Sequence, residues 1–335
     1  MTPPDPTFAD VRAAAERIAG RARRTPLLPL DDVGPGALGP DLWAKPENLQ
    51  RTGSFKLRGA TNFLAAMDPA QRARGVVTHS SGNHGQAVAC AAHAFGVPAT
   101  VVIPEGAPEV KVARTQGWGA TVLRCANTAS DRARGADEVV QREGATLVPP
   151  FDHPWIVAGQ ATAALEIAQD LDDIANVLVP VGGGGLSAGT VLALETLAPR
   201  ARVIGVEPAL AADAQESLRR GEPIAWPAEK TTRTWADGVQ TQRLGDLPFR
   251  LLSQRLEGIV TVPEEALRPA LGWWARHARL VVEPTGALTL AGWHRLTSGA
   301  SDEVRLAPGR TVLMISGGNV DEAVLSSLGE ARPLG

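Results

Sequence analysis

The sequence predicts an α/β protein built on two parallel sheets, and three features carry that prediction. Between residues 75 and 149, short apolar runs alternate with helical segments, the pattern of strands joined by helical crossovers. A second alternating series fills residues 157–315. Glycine-containing turns follow directly on several of the strands, and such folds bind ligands at the carboxyl ends of their strands. A chain of 335 residues is long enough for two units, or for one core wrapped around an insert. Residues 66–150 read as a small inserted α/β domain, and residues 1–65 with 151–335 as the larger one.

Taken in order, residues 8–22 read as an amphipathic helix with Val11, Ala14, Ala15 and Ile18 on one face. Arg24 to Leu30 is extended, because Pro26 and Pro29 fix φ and disfavour helix in the residue before each. Leu42–Lys45 is a short strand. It leads to Thr52-Gly53-Ser54-Phe55-Lys56, which runs into Leu57-Arg58-Gly59-Ala60, a potential helix start. The smaller unit has strands at 75–79, 98–103, 120–125 and 145–149, with helices near 83–95, 108–117 and 128–142. The larger has helix 157–170, strand 176–181, helix 186–198 and strand 202–207. Helices near 212–220 and 246–256 follow, then strand 258–262, one long helix across 263–279, helix 285–297 and strand 311–315. Trp273 and Trp274 on that long helix read as a packing or subunit surface.

Composition excludes several classes of function. The hydrophobic fraction is 44%, the charged fraction 21% and the net charge −3, as in an ordinary soluble globular protein. No basic stripe points to nucleic acid and no polybasic run to a membrane. Cys90 and Cys125 form no CxxC or zinc-type spacing, which fits a reducing compartment. With no apolar signal core and no run of apolar residues long enough to span a bilayer, the expected location is cytoplasmic.

Three turns and one lysine carry the chemistry. Lys56 stands at a loop–helix junction between apolar Phe55 and Leu57, where desolvation would lower its pKa and free its lone pair to attack a carbonyl. Ser80-Ser81-Gly82-Asn83-His84-Gly85 follows a strand and opens a helix; it suits an anionic group, or is simply an N-cap and tight turn. Gly182-Gly183-Gly184-Gly185 lies between a buried strand and a helix. Its backbone N–H groups can wrap a phosphate with the helix dipole behind them; the other reading is a flexible loop. It is neither GxGxxG nor GxxxxGK[ST], so no dinucleotide or ATP site follows. Ser316-Gly317-Gly318-Asn319 offers a hydroxyl at a strand end. An amine, a phosphate cradle and a hydroxyl for a ring nitrogen are what pyridoxal 5'-phosphate requires.

The segments KPENLQRTGSFKLRGA, THSSGNHGQAVA, VPVGGGGLSAG, VEPTGALTLAG and ISGGNVD stand in the order and spacing of the fold-type-II pyridoxal-phosphate enzymes. That architecture is similar to the tryptophan synthase β chain: two α/β domains with the cofactor in the cleft between them. The sequence most resembles the serine racemase and threonine/serine dehydratase group, from Thr25 to Asn319. The resemblance implies that Lys56 carries the cofactor as a Schiff base and moves the α-proton on one face, with Ser81 facing the other. It implies that Phe55 lines the ring, Asn83 meets the phenolic oxygen, Gly182, Gly183, Gly184 and Gly185 hold the phosphate, and Ser316 meets the pyridine nitrogen. Ser80, Ser81, Asn83, His84 and Gln86 lie where the group receives the substrate carboxylate.

The resemblance extends to a divalent-cation site, with carboxylates from Glu207 and Asp213 and a backbone oxygen from Ala211. Hard oxygen ligands suit Mg²⁺, with Ca²⁺ or Mn²⁺ as alternatives; two acids so spaced are otherwise a solvated face. Arg132 matches an arginine near the substrate pocket and could pair a β-carboxylate, or is a surface arginine beside Arg134. Thr241 stands where the group has a serine. The implied activity is dehydration of L-threonine or L-serine to a 2-keto acid and ammonia, with serine racemase or threo-3-hydroxyaspartate dehydratase as alternatives. The implied partners are a small amino-acid substrate and a second copy in a homodimer. With no sequence beyond Gly335, the C-terminal regulatory domain of isoleucine-inhibited dehydratases is not expected.

Overall fold

The computed structural model describes residues 4–33, 37–39, 41–80, 82–107, 109–126, 128–301, 304–326 and 328. Its strands are β1 (Leu28–Pro29), β2 (Leu42–Pro46), β3 (Val76–Thr78), β4 (Ala99–Pro104), β5 (Thr121–Cys125), β6 (Thr146–Leu147), β7 (Ile174–Pro180), β8 (Arg202–Pro208), β9 (Gly258–Val262) and β10 (Arg310–Ile315). They form a six-stranded sheet in the order β1-β2-β10-β7-β8-β9 and a four-stranded sheet in the order β5-β4-β3-β6. Every pair is parallel except β1 with β2 at one edge.

The central strands β7 and β10 are near-continuous apolar runs because both faces of the large sheet are covered. Helices Pro154–Asp170, Gly185–Leu197 and Asp246–Arg255 enclose one core. Helices Leu267–Trp273 and Pro284–Thr297 enclose the other. The small sheet packs Asn83–Phe95 on one face and Ala129–Glu143 on the other. Both sheets thus present their strand ends, and the turns that follow them, to a shared region.

Two long helices expected from the sequence are shorter here. The first spans only Phe8–Ile18, opened by a Thr7/Asp10 capping box, and Gly20 beyond it sits at φ 75°. The run 263–279 divides into a 3₁₀ turn Glu264–Ala266, an α-helix Leu267–Trp273 and a π-helical turn Trp274–Ala278 ended by Arg279 at φ 58°. Trp273 and Trp274 are both buried, edge to face at 5.1 Å, so they serve packing and not a subunit surface. Helix Lys56–Ala66 continues the lysine turn, and Asp68 caps a short helix at Pro69–Ala73.

A buried ionic cluster fixes the lysine turn from behind. Arg58 donates to Glu47 through Nε and a terminal nitrogen, at 2.7 Å each. It also donates to both oxygens of Glu166, again at 2.7 Å. Lys45 Nζ meets Glu166 at 2.6 Å and the Thr25 carbonyl at 2.8 Å. Two cations and two anions cancel, and each carboxylate oxygen has a charged partner, the condition under which buried charge is tolerated. Glu47 and Arg58 lie on either side of residues 48–57, so their pairing closes that loop at its neck.

Candidate active site

Lys56 begins its helix, with Phe55 as the N-cap residue. Phe55 N–H donates to the Ser316 carbonyl at 3.1 Å, Gly318 N–H donates to the Gly53 carbonyl at 2.9 Å, and Ser54 bridges Gly317. The lysine turn and the turn after β10 are therefore one backbone unit. Lys56 is half-buried, and its Nζ donates to the Pro150 carbonyl at 2.8 Å. Burial brings its pKa down to about 8, against the pull of the Glu283 carboxylate. The lowered value enlarges the fraction of the amine that carries a free lone pair near neutral pH.

The four glycines follow β7 and open helix Gly185–Leu197, whose first N–H groups have no intrahelical partner. Gly184 sits at φ 89°, a conformation that favours glycine, and a Cβ on Gly183 would lie 2.3 Å from the Phe151 ring. The cleft beside this turn holds ≈350 Å³, mouth included, and is lined by Phe55, Lys56, Phe151, Gly182–Gly185, Gly238, Val239, Thr285 and Ser316. Lysine, glycine turn and terminal serine, more than a hundred residues apart in sequence, face one space.

The hydroxyls of Ser316 and Thr241 are buried and have no partner among the described residues. A Cβ on Gly182 would approach Thr241 Oγ1 to 3.3 Å, so Thr241 stands against the glycine turn. Unsatisfied buried hydroxyls are costly unless a ligand completes them. With the amine and the bare glycine backbone they fit pyridoxal phosphate.

Ser81 lies outside the described residues. Its neighbours open helix Asn83–Phe95. Asn83 Nδ2 donates to both oxygens of Glu283, at 2.8 and 3.1 Å, and its Oδ1 accepts from Asn319 Nδ2 at 2.7 Å. Asn319 also donates to the Thr52 carbonyl and, through its N–H, to Glu283. Asn319 thus ties the β10 turn to the lysine turn, and Asn83 ties it to the start of helix Asn83–Phe95. His84 is buried with its Nε2 on the Val148 carbonyl at 3.0 Å; its side chain faces inward and does not line the cleft. Burial, then the nearby Lys56 charge, pushes its pKa down to about 3. Gln86 is also buried, and its Nε2 has no partner among the described residues. Ser80 is half-buried, its hydroxyl accepting from the Gly82 N–H.

Arg132 is half-buried, and its charge, after burial, helps hold His79 below the usual histidine range. Among the described residues its guanidinium has no hydrogen-bonded or ion-paired partner. It is near the strand leading to Ser80 and is available to an anion.

Glu207 and Asp213 are both buried, and Ala211 sits between them in a 3₁₀ turn, Ala209–Ala211. Glu207 accepts the N–H groups of Ala214 and Gln215 at 3.1 and 2.8 Å. Burial and then the Asp213 charge push its pKa well up; burial brings Asp213 to about 7. One Asp213 oxygen has no partner among the described residues. Two buried carboxylates, one with a bare oxygen, fit a hard divalent cation, although no cluster of three or more metal-binding side chains occurs among the described residues.

Several site residues escaped the sequence reading. Glu283 lies within VEPTGALTLAG but carries no signal there that it would meet Asn83, 200 residues away. Pro150 and Phe151 occupy an ordinary-looking connection. Lys111 and Asp237 form an ion pair at 2.9 Å between the small-sheet helix Glu109–Gln116 and the 3₁₀ turn Asp237–Val239 beside the cleft. Only long-range packing reveals these residues.

Residues 18–317 match the family model described as pyridoxal-phosphate dependent enzyme. The chain is 41% identical to the serine racemase of Schizosaccharomyces pombe over 316 residues, covering 94% of this chain and 95% of that one. It is 38% identical to the L-threo-3-hydroxyaspartate ammonia-lyase of Saccharomyces cerevisiae over 319 residues, covering 94% of each. Among solved structures, the serine racemase of Dictyostelium discoideum superposes with a TM-score of 0.85 at 35% identity, covering 94% of this chain and 99% of that one.

Proposed function

The chain belongs to the pyridoxal-phosphate dependent enzymes, and on that footing we propose that it is an ammonia-lyase that dehydrates L-threonine or L-serine to a 2-keto acid and ammonia. The observation that carries this reading is the cleft shared by the Lys56 amine, the Gly182–Gly185 turn and the Ser316 hydroxyl, which has no partner among the described residues.

When bound, pyridoxal phosphate supplies an electrophilic carbon for amines and a conjugated ring that draws electrons from the substrate α-carbon. Gly182 to Gly185 would hold the phosphate through backbone N–H groups, Phe55 would cover the ring, and Asn83 would meet the phenolic oxygen. Lys56 Nζ would hold the cofactor, then take the α-proton once substrate displaces it. Ser316 offers the ring nitrogen a neutral hydroxyl, which cannot keep that nitrogen protonated as an aspartate would. That favours departure of the β-hydroxyl close in time with the α-proton. Ser80, His84 and Gln86 belong to the turn that would receive the substrate carboxylate, by its backbone in the case of His84. Thr241 would bond either substrate or cofactor. Ser81 is assigned the proton on the opposite face from the sequence resemblance alone.

A second reading is threo-3-hydroxyaspartate dehydration, favoured by the Arg132 guanidinium, which has no hydrogen-bonded or ion-paired partner among the described residues and would take a β-carboxylate. Serine racemisation is the third, and it requires Ser81. The proposal includes Mg²⁺, Ca²⁺ or Mn²⁺ on Glu207, the Ala211 carbonyl and Asp213, a cytoplasmic homodimer, and domain boundaries at 66 and 150. No helix among the described residues is long and apolar enough to cross a membrane.

The test incubates the protein with L-serine, L-threonine and L-threo-3-hydroxyaspartate, with and without EDTA, measuring keto acid and D-amino acid together. Keto acid from threonine or serine supports the lyase. D-serine without pyruvate overturns it, and turnover of hydroxyaspartate alone moves the assignment to the second reading.

A further inference from the structure

His84 makes one contact that the proposed reaction does not use. Its Nε2 lies 3.0 Å from the Val148 carbonyl. A carbonyl only accepts, so Nε2 carries the proton and Nδ1, which is buried and has no partner among the described residues, carries the lone pair. Thr78 Oγ1 donates to the same carbonyl, also at 3.0 Å. Val148 stands just past the two-residue strand β6, and its own N–H donates to the Val77 carbonyl at 2.8 Å.

The next two residues are Pro149 and Pro150. Proline fixes φ and has no N–H, so this short stretch has few soft torsions and no amide hydrogen bonds of its own to set its direction. With φ fixed at both prolines, only their ψ angles separate the Pro150 carbonyl from Val148, so its range is narrower than in an ordinary dipeptide. Lys56 Nζ rests on this Pro150 carbonyl at 2.8 Å. Beyond it, Phe151 packs against Gly183 and Gly185, and Asp152 accepts the N–H groups of Asp246 and Leu247 at 3.0 Å each. The segment is a stiff strut pinned at both ends.

We propose that His84 is a positioning residue for Lys56: by donating to the Val148 carbonyl it sets the Val148–Pro149–Pro150 strut, whose last carbonyl fixes where the lysine amine rests. Placing that amine beside the strut keeps it out of water. The burial that brings Lys56 to about 8 and His84 to about 3 is the electrostatic counterpart of this geometry. Glu283 acts on Lys56 across this space, and Lys56 and His79 act on His84. A charged imidazole here would repel the ammonium, so a neutral donor is the compatible form.

This rests on Lys56 being the reactive amine, and the two ideas fail separately. If pyridoxal phosphate forms no borohydride-reducible bond to Lys56 in the wild type, the functional reading falls. The strut is tested on the amine itself, in the full-length chain freed of cofactor. The rate of Lys56 acylation by acetic anhydride is followed against pH by mass spectrometry of the peptide, alongside the melting temperature. His84→Gln reaches as far as Nε2 and keeps a donor; His84→Asn is too short, and His84→Leu has none. The wild type and His84→Gln are expected to titrate near 8. His84→Asn and His84→Leu should titrate at least about one unit higher, which slows labelling at pH 8 about fivefold. Thr78→Val, which removes the other donor to Val148, should shift the midpoint in the same direction and decides the matter if the His84 variants do not fold. Folded Asn, Leu and Val variants that titrate like wild type overturn the proposal. So does a His84→Gln midpoint displaced as far as that of His84→Leu.

Discussion

Asn83 and Glu283, 200 positions apart, meet through both carboxylate oxygens at 2.8 and 3.1 Å. Burial, then the Asp237 charge, brings Glu283 up to about 8, against the hydrogen bonds from Asn83 and Asn319. Above that value both oxygens accept, and replacing one by an amide places N–H groups face to face. Glu283→Gln should therefore loosen Asn83 and lower turnover about tenfold, the effect of roughly 1–2 kcal/mol from an unsatisfied buried donor. Steady-state kinetics of the variant checks this, with cofactor content measured on the same samples.

Lys56 provides the pH dependence. Its pKa is lowered to about 8, so the neutral, attacking form increases as pH rises through that value. The rate of cofactor uptake by cofactor-free protein should climb about tenfold per unit well below pH 8 and level off above it. Stopped-flow absorbance across about pH 6–10 reads this directly. Lys56→Ala should lose turnover by at least about a hundredfold to ten-thousandfold, the range for a positioned proton-transfer group.

Gly183→Ala would drive a methyl group into the Phe151 ring, 2.3 Å from the new carbon. Overpacking of this kind costs about 1–3 kcal/mol. Here it falls on the turn assigned to the phosphate, so cofactor affinity should weaken about tenfold or more while the fold survives. Equilibrium dialysis against pyridoxal phosphate measures the first, and circular dichroism the second.

Glu47 has no exposure and accepts two bonds from Arg58 and one from Thr25. Glu47→Gln leaves the Arg58 guanidinium half-neutralised in the core. Loss of one member of a buried pair costs about 3–5 kcal/mol. The expected result is a lower denaturant midpoint, with Glu47→Gln/Arg58→Met less destabilised than the single variant.

Asp213→Asn removes one of two buried carboxylates and the oxygen that has no partner among the described residues. In the wild type, millimolar Mg²⁺ or Ca²⁺ should raise the melting temperature and EDTA should reverse the gain. In the variant both effects should vanish. A wild-type protein indifferent to cation and chelator would remove the metal from the proposed function.

Much of this site is legible in sequence because its backbone parts are local. Glycines 182–185, the helix start at Asn83 and the strand end before Ser316 each announce themselves through neighbours a few residues away. The partners that tune them do not. Glu283, Pro150 and Lys111 act on residues 200, 94 and 126 positions distant, and nothing in their own surroundings distinguishes them. The alternation of strands and helices located every strand but β1 to within two or three residues at each end. The helix expected over 263–279 failed for a local reason: the chain winds there through 3₁₀, α and π geometry in turn. A hydrophobic pattern reports which residues are buried and is blind to such a change of winding. It also left Trp274 open to a subunit surface, whereas the indole lies wholly inside.

β10 comes last among the strands but sits third in its sheet, hydrogen-bonded to β2 on one side and β7 on the other. A ribosome that has delivered all the earlier strands has already released Lys56 and the Gly182–Gly185 turn. It has not yet released the piece that holds them side by side. Until Arg310–Ile315 inserts, β2 and β7 each offer a row of unpaired backbone N–H and C=O groups to any passing strand, and Phe55 lacks the Ser316 carbonyl it bonds to. The cleft beside Lys56 is therefore complete only once β10 has inserted.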